Sequence, residues 1–130
     1  RCSRDWSSDV CSSDLTTDEI ISGYSDIRLK DNIEYIKNAD VKLYSLNGIF
    51  YKQNQLSEKY GYHSYKKQIG LIAQEVQEVL PEVVMEREDG HLGLDYSKMV
   101  GLLVEAIKEQ QTQIHTLTLE IESLKKQKGL

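Results

Sequence analysis

The sequence predicts an α+β chain: a small globular domain of short strands and helices, followed by a long C-terminal helix that enters a coiled coil. Three observations predict it. Val100, Leu103, Ile107, Gln110, Ile114, Leu117, Ile121 and Leu124 alternate by three and four, a spacing that lines up one stripe for burial against another helix. Val83 to Met85 and Leu92 to Leu94 are short apolar runs on either side of Asp89-Gly90, the signature of two strands joined by a turn. Ile72, Val76, Val79 and Leu80 recur at helical spacing just before Pro81, so a short amphipathic helix stops there.

The 130 residues, 39% hydrophobic and 28% charged, suit one modest domain with a core of limited size. A formal charge of -5 argues against a nucleic-acid partner, because phosphate binding needs clustered Lys and Arg. No apolar run approaches the roughly 20 residues a bilayer-spanning helix needs, and no membrane insertion is expected. His63 has no Cys, His or carboxylate at ligand spacing, so it reads as a surface histidine and no metal or other cofactor is expected.

Residues 1–15, RCSRDWSSDVCSSDL, are rich in Ser and Asp, lack periodicity and carry the Trp and both Cys of the chain. Asp5 to Leu15 also resemble the in-frame translation of a common sequencing-adapter oligonucleotide. The stretch is therefore read as an assembly artefact, expected to be disordered, and set aside from the fold. Cys2 and Cys11 then say nothing about redox compartment. Residues 16–24 read as the end of an upstream region or a linker, and Ser22-Gly23 is a loop signal that exposes the Tyr24–Ser25 bond.

From Ile27 to Ile36 the apolar spacing mixes strand and helix intervals. Asn38 to Leu46 places Val41, Leu43, Tyr44 and Leu46 at spacings compatible with a short helix ended by Asn47-Gly48, although the same dipeptide also suits a hairpin turn. The helix is preferred, with a strand over Ile49 to Gln53. Asn54 to Lys67 is polar and tyrosine-rich around Gly61, which reads as an exposed loop. Its Tyr60, Tyr62 and Tyr65 are expected to cover a core edge rather than stack on a sugar or base.

Ile69 to Ile72 reads as a short buried strand running into the helix from Ala73. On that helix Gln74, Glu75, Gln77 and Glu78 are expected to face water, so the Glu75 and Glu78 carboxylates are solvated rather than an acid–base pair. His91 falls at the hairpin tip, facing solvent. Asp95 or Ser97 caps the last helix, which is expected over 98–128 and about 45 Å long at 1.5 Å per residue. So small a domain cannot cover such a stripe, and the chain is expected to self-associate or find partner helices. Gln110 would set register or oligomer state, and β-branched residues alternating with leucine lean by themselves toward two strands.

Chemistry enters with Ser25-Asp26-Ile27-Arg28-Leu29-Lys30, where a hydroxyl precedes an amine by five positions. Serine needs a base to attack, and lysine acts as one only where burial or neighbouring cations favour its neutral form. On its own this spacing is that of a turn cap and a surface charge.

Three ordered blocks change that reading: Ser25-Asp26-x-Arg28-Leu29-Lys30-x-Asn32-Ile33; Ile69-Gly70-Leu71-Ile72-Ala73-Gln74-Glu75-Val76 with Pro81-Glu82-Val83-Val84; and Leu94-Asp95-Tyr96-Ser97 with Leu103-Val104-Glu105-Ala106-Ile107. Together, over about Ser25 to Leu124, they resemble the intramolecular chaperone auto-processing domain, peptidase family S seventy-four, of phage tail spikes and tail fibres. The resemblance implies a homotrimer, against the two-strand lean of the heptads. It implies a globular chaperone over 25–97 and a trimeric coiled-coil helix over 98–128, which guide assembly of an upstream fibre of the same polypeptide. Self-cleavage would follow at Tyr24–Ser25, with Ser25 matching the nucleophile and Lys30 the base. Asp26, Arg28 and Asn32 match motif positions without an assigned role. The implied setting is a virion tail component assembled in the host cytoplasm, with the released domain left there. The alternative is a trimerisation and chaperone module that never cleaves.

Overall fold

A computed structural model describes residues 24–61 and 65–129. The artefact reading of 1–15, the linker reading of 16–23 and the readings of Tyr62 and His63 lie outside them. The described residues fall into two units that divide between Tyr35 and Ile36.

The second unit runs α1 (Ala39–Tyr44), β1 (Ile49–Tyr51), β2 (Gln68–Gly70), α2 (Ala73–Val79), β3 (Val84–Glu86), β4 (Leu92–Leu94) and α3 (Met99–Gln127). It is α+β, as the hydrophobic pattern predicts. Its strands form two antiparallel pairs, β1 with β2 and β3 with β4. In the first, Phe50 faces Ile69, and in the second Met85 faces Gly93. The β3–β4 connection closes where expected: Arg87 N–H donates to the His91 carbonyl at 2.8 Å and Gly90 N–H to the Arg87 carbonyl at 2.9 Å. Gly90 stands at φ 84°, a left-handed conformation that glycine adopts without a Cβ clash.

The residues between β1 and β2, expected to be loop throughout, contain a 3₁₀ helix over Gln55–Tyr60. Asn54 caps it by accepting Ser57 N–H at 3.2 Å, and Gly61 ends it at φ 85°. None of its residues is buried. It therefore leaves no apolar periodicity in the sequence, and local capping alone accounts for it.

α2 is the helix the Val76 and Leu80 spacing predicts, and both residues are buried. Pro81 does more than stop it. Its fixed φ suits the first position of a helical turn, and a 3₁₀ turn over Pro81–Val83 carries Val83 into the core. Glu75, expected in water, is half-buried and accepts Asn47 N–H at 3.3 Å and Asn47 Nδ2 at 3.2 Å. Gly70 is favoured by close approach: Tyr96 Oη accepts Leu71 N–H at 3.0 Å, and a Cβ on Gly70 would lie 2.7 Å from that hydroxyl, so the tyrosine would have to shift.

Ala39, Val76, Leu80, Val83, Met99, Leu102 and Ala106 form the core, with Ile36, Leu43, Leu46, Leu71, Val79, Val84 and Leu94 packed around it. Asp95 caps a 3₁₀ turn over Tyr96–Lys98, accepting Ser97 N–H at 3.1 Å, and α3 proper begins one residue later at Met99. α3 carries two stripes, not one. Met99, Leu102 and Ala106 face the core, and the same series continues through Glu109 and Gln113, which bond α1. One position further along lies the heptad series seen in the sequence. Its apolar members are all between 41% and 62% exposed.

Candidate active site

Ser25 and Lys30 meet because the chain between them makes one tight turn. Asp26 is extended, and Ile27–Leu29 form a single 3₁₀ turn closed by Leu29 N–H to the Asp26 carbonyl and Lys30 N–H to the Ile27 carbonyl, both at 3.1 Å. Such a turn advances only about 2 Å per residue, which keeps its flanks close. Lys30 Nζ lies 3.1 Å from Ser25 Oγ and donates to it. That distance is within the reach a general base needs. If the amine were neutral, it would accept the hydroxyl proton along the same line.

Asp26 builds the turn twice over. Its Oδ1 accepts Arg28 N–H at 2.8 Å and Arg28 Nε at 3.0 Å, while Oδ2 accepts Nη2 at 2.8 Å. This is the two-pronged geometry that suits guanidinium and carboxylate. The Arg28 guanidinium, then the Arg28 backbone N–H, and more weakly the charge of Lys30, hold the Asp26 carboxyl below the usual carboxylate range. Arg28 is raised in turn by the same contact. The motif left Asp26 and Arg28 without roles; here they fasten the turn that joins Ser25 to Lys30. An aspartate two residues before an N–H it can accept is a turn signal readable in sequence.

Asn32 contributes through its backbone, at φ 52°, a left-handed conformation asparagine tolerates better than most residues. Tyr24, on the other side of the candidate bond, is 89% exposed. Ser25 and Lys30 are exposed as well.

A second polar group was not anticipated. Tyr60 Oη bonds Asp89 and, at 3.0 Å, His91 Nδ1, and the Tyr60 and His91 rings meet edge-on at 5.6 Å. His91 is exposed, as expected, but it is held by these neighbours and by Asp89 at 3.2 Å.

Residues 25–85 match the model of a peptidase family described as the chaperone of endosialidase. These residues belong to that family. The endosialidase-chaperone match begins at Ser25 itself and ends within β3. The chain is also similar to long tail fibre protein Gp37 of Escherichia phage AR1, 42% identical over 87 residues, which are 65% of this chain and 8% of that protein. Gp37 of Enterobacteria phage K3 is 38% identical over 97 residues, 72% of this chain and 8% of that protein. The chain thus spans less than a tenth of the length of either relative.

Proposed function

We propose that this chain is an intramolecular chaperone that assembles as a homotrimer on an upstream tail-fibre or tail-spike region of the same polypeptide. It then releases itself by serine autoproteolysis at the Tyr24–Ser25 bond. The observation that carries the reading is the 3.1 Å contact between Lys30 Nζ and Ser25 Oγ, at the residue where the endosialidase-chaperone match begins. Residues 25–97 act as the globular chaperone and 98–128 as the coiled-coil helix. The setting is a virion tail component assembled in the bacterial cytoplasm, where the released domain remains.

The chemistry balances without a cofactor. Ser25 Oγ attacks the Tyr24 carbonyl carbon while the Lys30 amine takes the hydroxyl proton. The Tyr24–Ser25 C–N bond breaks, the proton passes to the freed Ser25 amine, and Tyr24 is left as an ester on Ser25 Oγ. Water hydrolyses the ester, giving a Tyr24 carboxylate and a fragment that begins with Ser25. The reacting groups are neighbours in one chain, so little entropy is lost in bringing them together.

Lysine accepts a proton only when neutral, and a dry environment is what favours the neutral amine. Ser25 and Lys30 are exposed in the single chain, so assembly supplies the cover and cleavage reports that assembly has occurred. The free stripe on α3 supports a second reading, a trimerising chaperone that never cuts. Intact mass separates the two. The wild-type chain is expected to lose residues 1–24 on assembly, and Ser25→Ala to stay whole while folding and associating normally. A Ser25→Ala chain that still yields a fragment starting at residue 25 would overturn the mechanism.

A further inference from the structure

We propose that the groove between α1 and α3 seats the α3 helix of a second copy, so that the contact between copies leaves the helix stripe at Gln110 and continues on Val41 and Tyr44. This rests on the self-association proposed above and names a surface outside the heptads.

Val41 is 66% exposed and Tyr44 94%, although Ala39 and Leu43 pin the other side of the same helix to the core. With Asp40, Leu43, Gln110 and Gln113 they line a groove of about 430 Å³. The groove opens on the side of the free stripe. Leu102, Ala106, Glu109 and Gln113, on the inner series of α3, each precede a stripe residue, Leu103, Ile107, Gln110 and Ile114, by one position. One position is about 100° around a helix. α1 therefore packs about a quarter-turn from the stripe, and Gln110 both belongs to the stripe and lines the groove.

Packed helix axes lie about 8–10 Å apart. A second helix laid along the stripe must pass α1 on the side that shows Val41 and Tyr44. It does so at the level where α3 offers only Gln110 between Ile107 and Ile114. Where the seam on α3 is polar, α1 supplies the apolar wall. Asp40 and Gln113 on the polar floor already bond within the chain: Asp40 Oδ2 accepts Gln113 Nε2 at 2.7 Å and Asp40 Oδ1 accepts Val41 N–H at 2.8 Å. A partner thus meets aliphatic and aromatic surface rather than an unpaired carboxylate.

The test places the photoreactive residue p-benzoylphenylalanine at position 44 in a mixture of isotopically light and heavy full chains. Light–heavy adducts mapping between Leu103 and Leu117 are expected. In parallel, Val41→Asp with Tyr44→Asp should weaken association by about a hundredfold or more, the scale of losing two buried apolar side chains, with helical content unchanged. Tyr44→Ala serves if the double variant misfolds, and should weaken association in the same direction. Adducts confined to one chain, or wild-type association in these variants, would overturn the proposal. Ile114→Asp with Leu117→Asp is the control. If that variant still associates, the coiled-coil reading fails; if it dissociates while the Val41 and Tyr44 variants do not, only the groove assignment fails.

Discussion

The Glu109 carboxylate accepts the backbone N–H of Asp40 at 2.9 Å, across 69 residues of sequence. It also takes Ala39 N–H at 3.2 Å. Asn38, in the left-handed region at φ 54°, makes no side-chain cap of its own. α3 thus provides the cap that α1 lacks, and negative charge at a helix N-terminus is favourable as well. Glu109→Ala is expected to lower unfolding free energy by about 1–2 kcal/mol, read by urea denaturation at fixed concentration. Glu109→Gln should lose less, because the amide oxygen still accepts. Equal losses would mean that one accepting oxygen is not enough and that both carboxylate oxygens are needed.

Gly70 and Tyr96 should behave as a coupled pair. A methyl group at Gly70 would displace the Tyr96 hydroxyl from 2.7 Å and break its bond to Leu71 N–H. Gly70→Ala is expected to cost about 1–3 kcal/mol. In a Tyr96→Phe background, with no hydroxyl to displace, the same change should cost clearly less. A double-mutant cycle with no coupling would contradict the contact.

Lys30→Arg should be inert in self-cleavage. Arginine keeps the positive charge and a donor for Ser25 Oγ, but a guanidinium cannot serve as a base at neutral pH. Because Lys30 is exposed, the substitution should change stability by no more than about 0.5 kcal/mol. Mass spectrometry of the assembled variant is the check, and a normal yield of the fragment from Ser25 would remove Lys30 from the mechanism.

Acid should loosen the turn through Asp26. The Asp26 carboxyl is depressed in the folded chain, chiefly by Arg28. Its contribution is therefore fully present above the usual carboxylate range and disappears as pH falls through the lower folded value. The Arg28 Nε–H resonance should lose its hydrogen-bonded shift over that window. Asp26→Asn should slow cleavage without abolishing it and erase the corresponding limb of the pH profile. An unchanged profile would mean that the Asp26 charge does not govern how the turn holds Ser25 against Lys30.

Assembly and chemistry should fail together in the seam. Ile114→Asp with Leu117→Asp puts two charges per chain where both residues are now half-exposed and apolar, at 55% and 56%. The globular part should stay folded, since neither residue touches its core. Sedimentation should show loss of the oligomer, and intact mass should show an uncut chain at neutral pH. Wild-type cleavage in such monomers would sever the proposed link between trimerisation and catalysis.

Features that repeat or close locally can be read from the order of residues. The Val76 and Leu80 spacing, the Asp89-Gly90 turn and the α3 stripe are periodic or near-neighbour features, and the hydrophobic effect acts on them wherever the chain lies. Ser25 and Lys30, by contrast, stood out only through the three ordered blocks that carry the resemblance, and the one turn between them then brings Lys30 Nζ to Ser25 Oγ. Features that depend on partners distant in sequence emerge once the chain is folded. Glu109 reads as one more charge on a solvated helix until α1 arrives beneath it, and Glu75 looks solvated until Asn47 reaches it. The inner series through Met99, Leu102 and Ala106 is hidden behind the stronger stripe one position away. The close approach at Gly70 cannot be recognised without Tyr96 in place. Each of these is a long-range pairing whose loop-closure entropy is offset only by burial of the common core, and periodicity carries no record of it.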